Sequence, residues 1–572
     1  MAFDGICCRS IVSELNTLLV NGKINKIYEP DKNEIILDIY NKKKFMLNIC
    51  IDSSNCRINL TNHLKENPKQ APNFCMLLRK YLTSSKILSI DTYGLDRIVI
   101  ITLENYNELN DLVNFKLIVE LMGKHSNIIL VNEKNIIIDS LRHIASEQAL
   151  RTILPANPYI FPSSDKLNLL ELSKDEFIRK INEDDSKKLI NVCSNLFTGI
   201  SKSFMILALN KLGINDLNFN NNDLEELYKY IQNILLNKRI SCEEFKLNGK
   251  KDFTIVSSDF ASTTSVNTFV DEFYYNKENN ETFISYRNNI LKLVLSLLNK
   301  SNKKLINIQE KLLECKEMDK YKLYGELITS NLYKINNNIN IDSIELENYY
   351  NNNNLILIPL DKSISPSLNA KKFFKKYNKL KNTLEIVSKQ QFQVKNEISY
   401  LESIVYALEN SNNIEDIYQI HDEIEETLLG KFNNKKNNKA KNNTLNLTSS
   451  IIDGFTVYIG KNNKQNDYIT FKMSDKNDLW FHVQGFHGSH ILLKTNGKEI
   501  NENNPILLKC AKLAALHSKA NNENKVSVDY TLVKNIKKPK GSKPGFVVFT
   551  NYKTVLISPL EYNYWFLYVF IV

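Results

Sequence analysis

The sequence predicts a multidomain α/β protein, and three observations carry that prediction. At 572 residues the chain exceeds what one hydrophobic core serves, so roughly three to five domains are expected. Strand-like alternation and helical spacing interleave before residue 165 and again after residue 450. Between these regions a heptad seam marks a long helix, and only 16 Gly and 12 Pro interrupt the chain.

Residues 1–165 read as mixed α/β. Ile11, Leu15, Leu18 and Leu19 have helical spacing, as does Phe74 to Leu82. Strand-like runs span Glu34 to Tyr40, Lys44 to Cys50, Ile98 to Leu103, Phe115 to Leu121 and Asn127 to Val131. Pro155, Pro158 and Pro162 close the region as a rigid connector. Residues 166–275 begin with short helices at Leu167 to Leu172, Asp175 to Asn182, Lys187 to Leu196, Ser201 to Leu212 and Asp223 to Leu236. A few strands follow from residue 243.

Residues 276–430 carry two long helices. The second has Leu380, Leu384, Val387, Gln391, Val394, Ile398, Leu401, Val405 and Leu408 at alternating steps of four and three, the spacing of a coiled coil. The first, from about Tyr286 to Lys334, repeats that spacing at Leu305, Ile308, Leu312 and Cys315. Pro359 and Pro366 break the intervening stretch. Two unequal seams separated by non-helical chain favour an antiparallel hairpin within one chain over a parallel homodimer. Residues 431–450 are rich in Lys and Asn without periodicity, which reads as a linker. The last domain, 451–560, has strands at Thr456 to Gly460 and Tyr468 to Lys472, a helix at Pro505 to Lys519, and strands near Val526 to Tyr530, Phe546 to Phe549 and Thr554 to Ile557. Residues 561–572 form an aromatic, apolar tail.

The formal charge of +10 permits a polyanionic partner without requiring one. Nine Cys occur with no Cys-x-x-Cys pair, which fits reduced, buried thiols in a cytoplasmic protein and argues against a zinc site or a disulfide framework. No apolar run is long enough to span a membrane, so no membrane partner is expected.

The segment from Asn466 to His490 holds the densest chemistry, with Asp478, Trp480, His482, His487, Ser489 and His490 punctuated by Gly485 and Gly488. Along a strand Trp480 and His482 share one face while Phe481 takes the other. With glycines permitting close backbone approach, the outward set suits stacking and shape readout of RNA. The spacings of His482, His487 and His490, five and three, do not converge obviously on twisting strands, and no metal is expected. Lys534, Lys537, Lys538, Lys540 and Lys543 form a basic loop suited to neutralising phosphates. Asp96-Arg97 on its own reads as a surface ion pair. Arg79, Lys80, Lys124 and His125 could extend a basic groove beside it, with Arg79 alternatively packing along its helix. In Phe197 to Ser201, Gly199 could turn backbone amides toward a phosphate, with Lys202 adding charge. No nucleophile–base–acid set, Walker loop or dinucleotide fingerprint is present, so neither catalytic residues nor a cofactor are expected.

These strings together resemble the NFACT family. The likeness runs through Phe3-Asp4-Gly5, Pro72 to Leu82, Leu95-Asp96-Arg97, Glu120 to Leu130 and Arg151 to Tyr159. It continues in Leu323 to Tyr333, Leu360 to Lys381, Val457 to Lys472, Asp478 to His490 and Lys538 to Gly545. Two places depart from the family pattern. Ala156 stands where the family usually has Gly, and the tail after Pro559 does not resemble the family.

The resemblance implies a glycosylase-like α/β N-terminal domain handling tRNA (1–165), a helix-hairpin-helix module (166–275), a coiled-coil arm (276–430) and an α/β RNA-binding domain (451–560). It places Asp96 and Arg97 on the tRNA-handling face. Glycosylases of that fold use a proline after the initiator Met as nucleophile; residue 2 is Ala2, so that chemistry is not expected. The implied function is ribosome quality control. Such a factor binds 50S subunits holding a stalled peptidyl-tRNA, recruits tRNA (alanyl-tRNA in bacteria) and promotes mRNA-independent tailing of the nascent chain for degradation. The arm would meet ribosomal proteins; at ~1.5 Å per residue, a 45-residue helix reaches about 65–70 Å. The alternative is a surface adhesin that binds fibronectin, a label older than the quality-control assignment.

Overall fold

The computed structural model describes residues 3–145, 151–184, 188–236, 240–247, 249–257, 265–335, 341–428, 447–501 and 503–562. They form two compact units, Met1–Asn280 and Glu281–Val572.

The first unit starts with α1 (Gly5–Leu19), capped by Asp4, whose side chain accepts from the Cys7 amide at 3.0 Å. Its first two turns are buried almost all round, at Ile6, Cys7, Cys8, Ile11 and Val12, because it lies inside the core. Around it runs a nine-stranded antiparallel sheet. Four strands form one half: β1 (Lys23–Asp31), β2 (Glu34–Asn41), β3 (Lys43–Cys50) and β4 (Arg57–Leu60). After α2 (Asn73–Leu82) come β5 (Lys86–Thr92), β6 (Ile98–Tyr106), β7 (Leu112–Glu120), β8 (Asn127–Asn132) and β9 (Ile137–Ser140). The order β4-β3-β2-β1-β5-β6-β7-β8-β9 joins the halves at Lys23 opposite Lys86. Four helices follow: α3 (Lys174–Asn182), α4 (Leu189–Leu196), α5 (Lys202–Leu212) and α6 (Asn221–Leu235). Capping boxes at Ser173/Glu176 and Asn220/Asp223 start α3 and α6. The expected helix at Leu167 to Leu172 is instead a series of turns that pairs Leu167 with Phe197. A hairpin, β10 (Ile240–Leu247) and β11 (Lys250–Ser257), precedes α7 (Val266–Lys316).

Helix α7 begins twenty residues before the expected Tyr286. Its start is held from two sides: Ser265, directly before it, accepts from the Thr268 amide at 3.1 Å, and the Glu14 carboxylate on α1 accepts from the amides of Val266 (2.9 Å) and Asn267 (3.2 Å). No local sequence signal reports the Glu14 contacts, and the polar run from Asn276 to Glu281 hides the helical periodicity.

In the second unit, α7 continues and is followed by α8 (Met318–Ser330), a hairpin of β12 (Ser343–Asn348) and β13 (Asn354–Pro359), α9 (Pro366–Glu409) and α10 (Ile414–Thr427). Ile290 and Val294 cluster with Leu401, Ile404 and Leu408, whereas Ile308 clusters with Val387 and Val394. Residue numbers rise along α7 as they fall along α9, so the pair is an antiparallel hairpin of one chain. Val387, Val394, Leu401 and Leu408, seven apart, are the buried positions of the predicted seam.

The C-terminal domain comprises β14 (Thr448–Ile452), β15 (Phe455–Ile459), α11 (Asn463–Tyr468), β16 (Leu479–Val483), β17 (Ile491–Leu493), α12 (Pro505–Leu516), β18 (Val526–Leu532), β19 (Ile536–Lys537), β20 (Val548–Phe549) and β21 (Lys553–Ile557). Six strands form an antiparallel sheet of order β14-β15-β17-β16-β18-β21, and β19 pairs separately with β20. Phe481, Val483 and Val528 pack with Ile506, Cys510 and Ala514 of α12 on one face. The expected strand at Tyr468 to Lys472 is helical: Asn462 caps α11, and a π-helical turn, Ile469–Met473, extends it. Its β-branched and aromatic side chains suggested a strand, but the cap and the burial of Ile469 and Thr470 decided the conformation. Of the predicted linker, 431–446 lies outside the described residues, whereas β14 already begins at Thr448. Residues 563–572 of the tail lie outside them too. Among the described residues no helix is long and apolar enough to cross a membrane.

Candidate RNA-binding site

Two places gather the residues singled out by the sequence. The first is a joint in the N-terminal unit. Asp96 and Arg97 occupy the loop between β5 and β6, both half-buried. Burial raises the Asp96 carboxyl above its usual range, against the opposing pull of Arg97 and Lys166. Arg97 donates to the Phe3 carbonyl at 3.4 Å. Beside them, Gly199 sits at φ +80°, its carbonyl accepting from the Gly5 amide at 3.0 Å. A Cβ at Gly199 would meet the Leu95 carbonyl oxygen at 2.4 Å. What glycine serves at 199 is therefore a close approach of three backbone segments. Asp4 ties the joint together, accepting from Cys7 of α1 and, at 2.7 Å, from the hydroxyl of Ser201, the cap of α5. Lys202 points into solvent. Lys124 and His125 lie exposed on a single 3-10 turn, Gly123–His125. Arg79 is half-buried and spends its Nε on the Ile27 carbonyl at 2.9 Å, anchoring α2 to β1; that is the packing alternative.

The second place is a cavity of about 360 Å³ where α9 meets the C-terminal sheet. Alternation along β16 sends Phe481 to the α12 core and Trp480 and His482 to the opposite face. That face is covered: Trp480 is 0 % exposed. His490, just before β17, lies 5.4 Å from His482 between ring centroids, so these two imidazoles do converge, contrary to the spacing argument. Sheet register, with Phe481 opposite Ile491, brings them together, and a linear spacing does not reveal it. Trp480 stacks on His482 at 5.7 Å, meets His490 edge to face at 4.9 Å and contacts Phe549 at 5.1 Å.

Burial and the adjacent His487 lower the His482 pKa to about 4, and burial holds His490 well below its usual range. His490 Nδ1 is 2.9 Å from the Thr470 hydroxyl, and its amide donates to Asn466 Oδ1 at 3.0 Å. His487 reaches Glu402 of α9 at 3.3 Å. Asp478 is 1 % exposed: its carboxylate accepts from Thr495 (2.9 Å) and Asp475 (2.8 Å) amides and pairs with Lys494 at 2.8 Å, so it organises the turn before β16. Ser489 is buried, with its amide on the His517 carbonyl.

The lysine loop divides. Lys537 and Lys540 are exposed, whereas Lys538 pairs with Asp467. Lys543 donates to the Thr427 carbonyl at 2.9 Å and lies 5.4 Å from the centre of the Tyr400 ring. Tyr400, Ser403, Asn463, Phe546 and Phe549 also line the cavity and were missed by the sequence reading. Tyr400 sits in the heptad helix, where a ring reads as packing, 149 residues from Phe549.

In chain order, an antiparallel α/β unit, a helical hairpin and an α/β domain with a lysine loop beside an aromatic cavity make up a multidomain α/β protein. The chain belongs to the NFACT family: residues 4–443 match the NFACT N-terminal and middle domains, and residues 448–551 match the NFACT protein RNA binding domain. It is 32% identical over 574 aligned positions to the Rqc2 homolog RqcH of Bacillus subtilis, covering 98% of each chain. Human ribosome quality control complex subunit NEMF is 28% identical over 145 positions, 25% of this chain and 13% of NEMF. Among solved structures, the N-terminal part of the fibronectin/fibrinogen-binding protein from Streptococcus suis aligns with a TM-score of 0.40 at 28% identity, covering 48% of this chain and 99% of that one.

Proposed function

We propose that this chain is a ribosome quality-control factor. It binds the 50S subunit carrying a stalled peptidyl-tRNA, recruits tRNA, most simply alanyl-tRNA, and promotes mRNA-independent tailing of the nascent chain. The observation that carries the reading is the end-to-end likeness to an Rqc2 homolog, together with the RNA-binding domain match at 448–551. The protein forms no bonds itself. It holds tRNA in register, and the ribosome's peptidyl-transferase centre joins the residues, so the contribution is positional. Asp96 and Arg97 serve the tRNA. The arm meets ribosomal proteins, and the lysine loop meets rRNA phosphates.

The test is the double substitution Asp96→Ala, Arg97→Ala in cells and in purified complexes. Tailing should be abolished while 50S co-sedimentation stays within about twofold, because the C-terminal domain's phosphate contacts are untouched. Sequencing of co-purifying RNA should show one enriched tRNA species in the wild type and none in the variant. Retained tailing, or loss of 50S binding in that variant, would refute the division of labour.

A further inference from the structure

We propose that the cavity framed by Tyr400, Trp480, His482, His490, Phe546 and Phe549 takes one unstacked nucleobase of an RNA strand whose phosphates lie along the lysine loop. The inference rests on the RNA-binding reading above and specifies what the cavity contributes to it.

Four features point to a base. The first is an orphaned donor. Trp480 is fully buried, yet among the described residues its indole N–H has no hydrogen-bond acceptor. Buried indoles ordinarily find one, and a base carbonyl or ring nitrogen would supply it. The second is shape. At about 360 Å³ the cavity falls within the range of small-ligand sites and far exceeds what one water fills. The third is wall chemistry. The rings are a π-surface, and base–aromatic stacking tolerates any base.

The fourth is the distribution of charge. His482 and His490 are held neutral by burial, so neither offers charge to a phosphate; with His490 Nδ1 taken by the Thr470 hydroxyl, that ring keeps one nitrogen for a base edge. The buried carboxylate nearby, Glu423, is engaged by the Tyr400 hydroxyl at 2.7 Å and by Asn463 at 3.0 Å. Positive charge comes from the lysine loop: Lys543 lines the cavity against Tyr400, and Lys540 and Lys537 are exposed on the same loop. An uncharged planar group inside and phosphates outside is the arrangement of single-strand recognition.

The test uses the full chain and a fluorescein-labelled single-stranded octaribonucleotide, compared with the same oligomer lacking bases at its central positions. Anisotropy titrations at fixed low salt should show the abasic oligomer binding about 10-fold more weakly. Trp480→Phe, which keeps a ring and removes the donor, should weaken the intact oligomer about 3- to 10-fold and leave the abasic one unchanged. Lys537→Ala with Lys540→Ala should weaken both equally and flatten the salt dependence. Equal affinity for intact and abasic oligomers overturns the base site and leaves RNA binding standing, as does an intact-to-abasic ratio that Trp480→Phe does not change. Failure of both oligomers to bind the wild type overturns the RNA reading itself. Unchanged thermal melting of Trp480→Phe excludes misfolding; should it melt early, 4-thiouridine in the intact oligomer must crosslink to the peptides of Tyr400 or Trp480 in the wild type, and absence of that crosslink overturns the proposal.

Discussion

Single residues in this chain carry costs that the backbone makes explicit. Ala156 adopts φ +67°, with its amide bonded to the Ile137 carbonyl at 2.8 Å. An L-residue is strained there. Ala156→Gly should therefore stabilise the N-terminal unit. The relief of about 1–2 kcal/mol exceeds the extra unfolded-state freedom of glycine, about 0.4–1 kcal/mol, so a net gain near 0.5–1 kcal/mol is expected in denaturant titrations. His490 makes the second case. Its folded pKa lies below the unfolded value near 6.5, so the unfolded state binds more protons between the two, and stability rises with pH across that interval. The contribution is complete above about pH 6.5 and lost as pH falls toward the folded pKa, at up to about 1.4 kcal/mol per pH unit. Asp416 and Glu423, raised by burial, act with the opposite sign. The difference between wild type and His490→Gln isolates the imidazole: it should shrink from pH 6.5 to 4.5 in melts followed by near-ultraviolet circular dichroism. A pH-independent difference would contradict this.

At the scale of elements, legibility followed the range of the interactions that decide each one. Helices α3 and α6 carry their own capping boxes, and the α9 seam repeats every seven residues, so local text sufficed. The start of α7 did not yield, because part of its capping comes from Glu14, 252 residues away, and the local cap, Ser265, is by itself too common a residue type to mark a helix start. Glu14→Ala removes both amide acceptors and should cost about 1 kcal/mol locally. Hydrogen exchange at Val270 to Tyr274 should then accelerate about fivefold, while the seam around Val394 is unaffected. Residues 463–473 misled for another reason. Tyr468, Ile469 and Phe471 favour strands, but Asn462 and the packing of Thr470 against His490 settle a helix. Of the candidate site, the alternation along β16 and the run of lysines were legible in the sequence, but not that the Trp480 face, expected to point outward, is covered. The ring of Tyr400 and the meeting of His482 with His490 were not, because tertiary register alone creates them.

At the scale of the second unit, the cavity exists only while the arm's base and the C-terminal domain stay docked, and that docking is polar. Asn463 Nδ2 donates to Ser403 and Glu423, both at 3.0 Å, Asn462 donates to Gln419 at 2.9 Å, and Gln465 reaches Gln419 and Asp416 at 3.0 and 3.3 Å. Lys464 pairs with Glu426 at 2.9 Å, and Lys543 closes the far side on Thr427. Asn463 and Gln465 are buried, so each lost bond leaves an unsatisfied partner and costs about 1–3 kcal/mol. Such a network holds without the covalent link. A specific protease site inserted at position 436, then cleaved, should leave the fragment C-terminal to the cut co-eluting with the remainder at micromolar concentration. Cleavage turns docking from an intramolecular to a bimolecular event, so the interface must supply about 8 kcal/mol to survive at 1 μM. Asn463→Ala removes two of its bonds and leaves buried Glu423 with the Tyr400 hydroxyl but without its amide donor; the cleaved variant should then separate on gel filtration, while the uncleaved variant stays folded. Separation of the cleaved wild type would show instead that the tether, not the polar contact, assembles the two walls of the cavity.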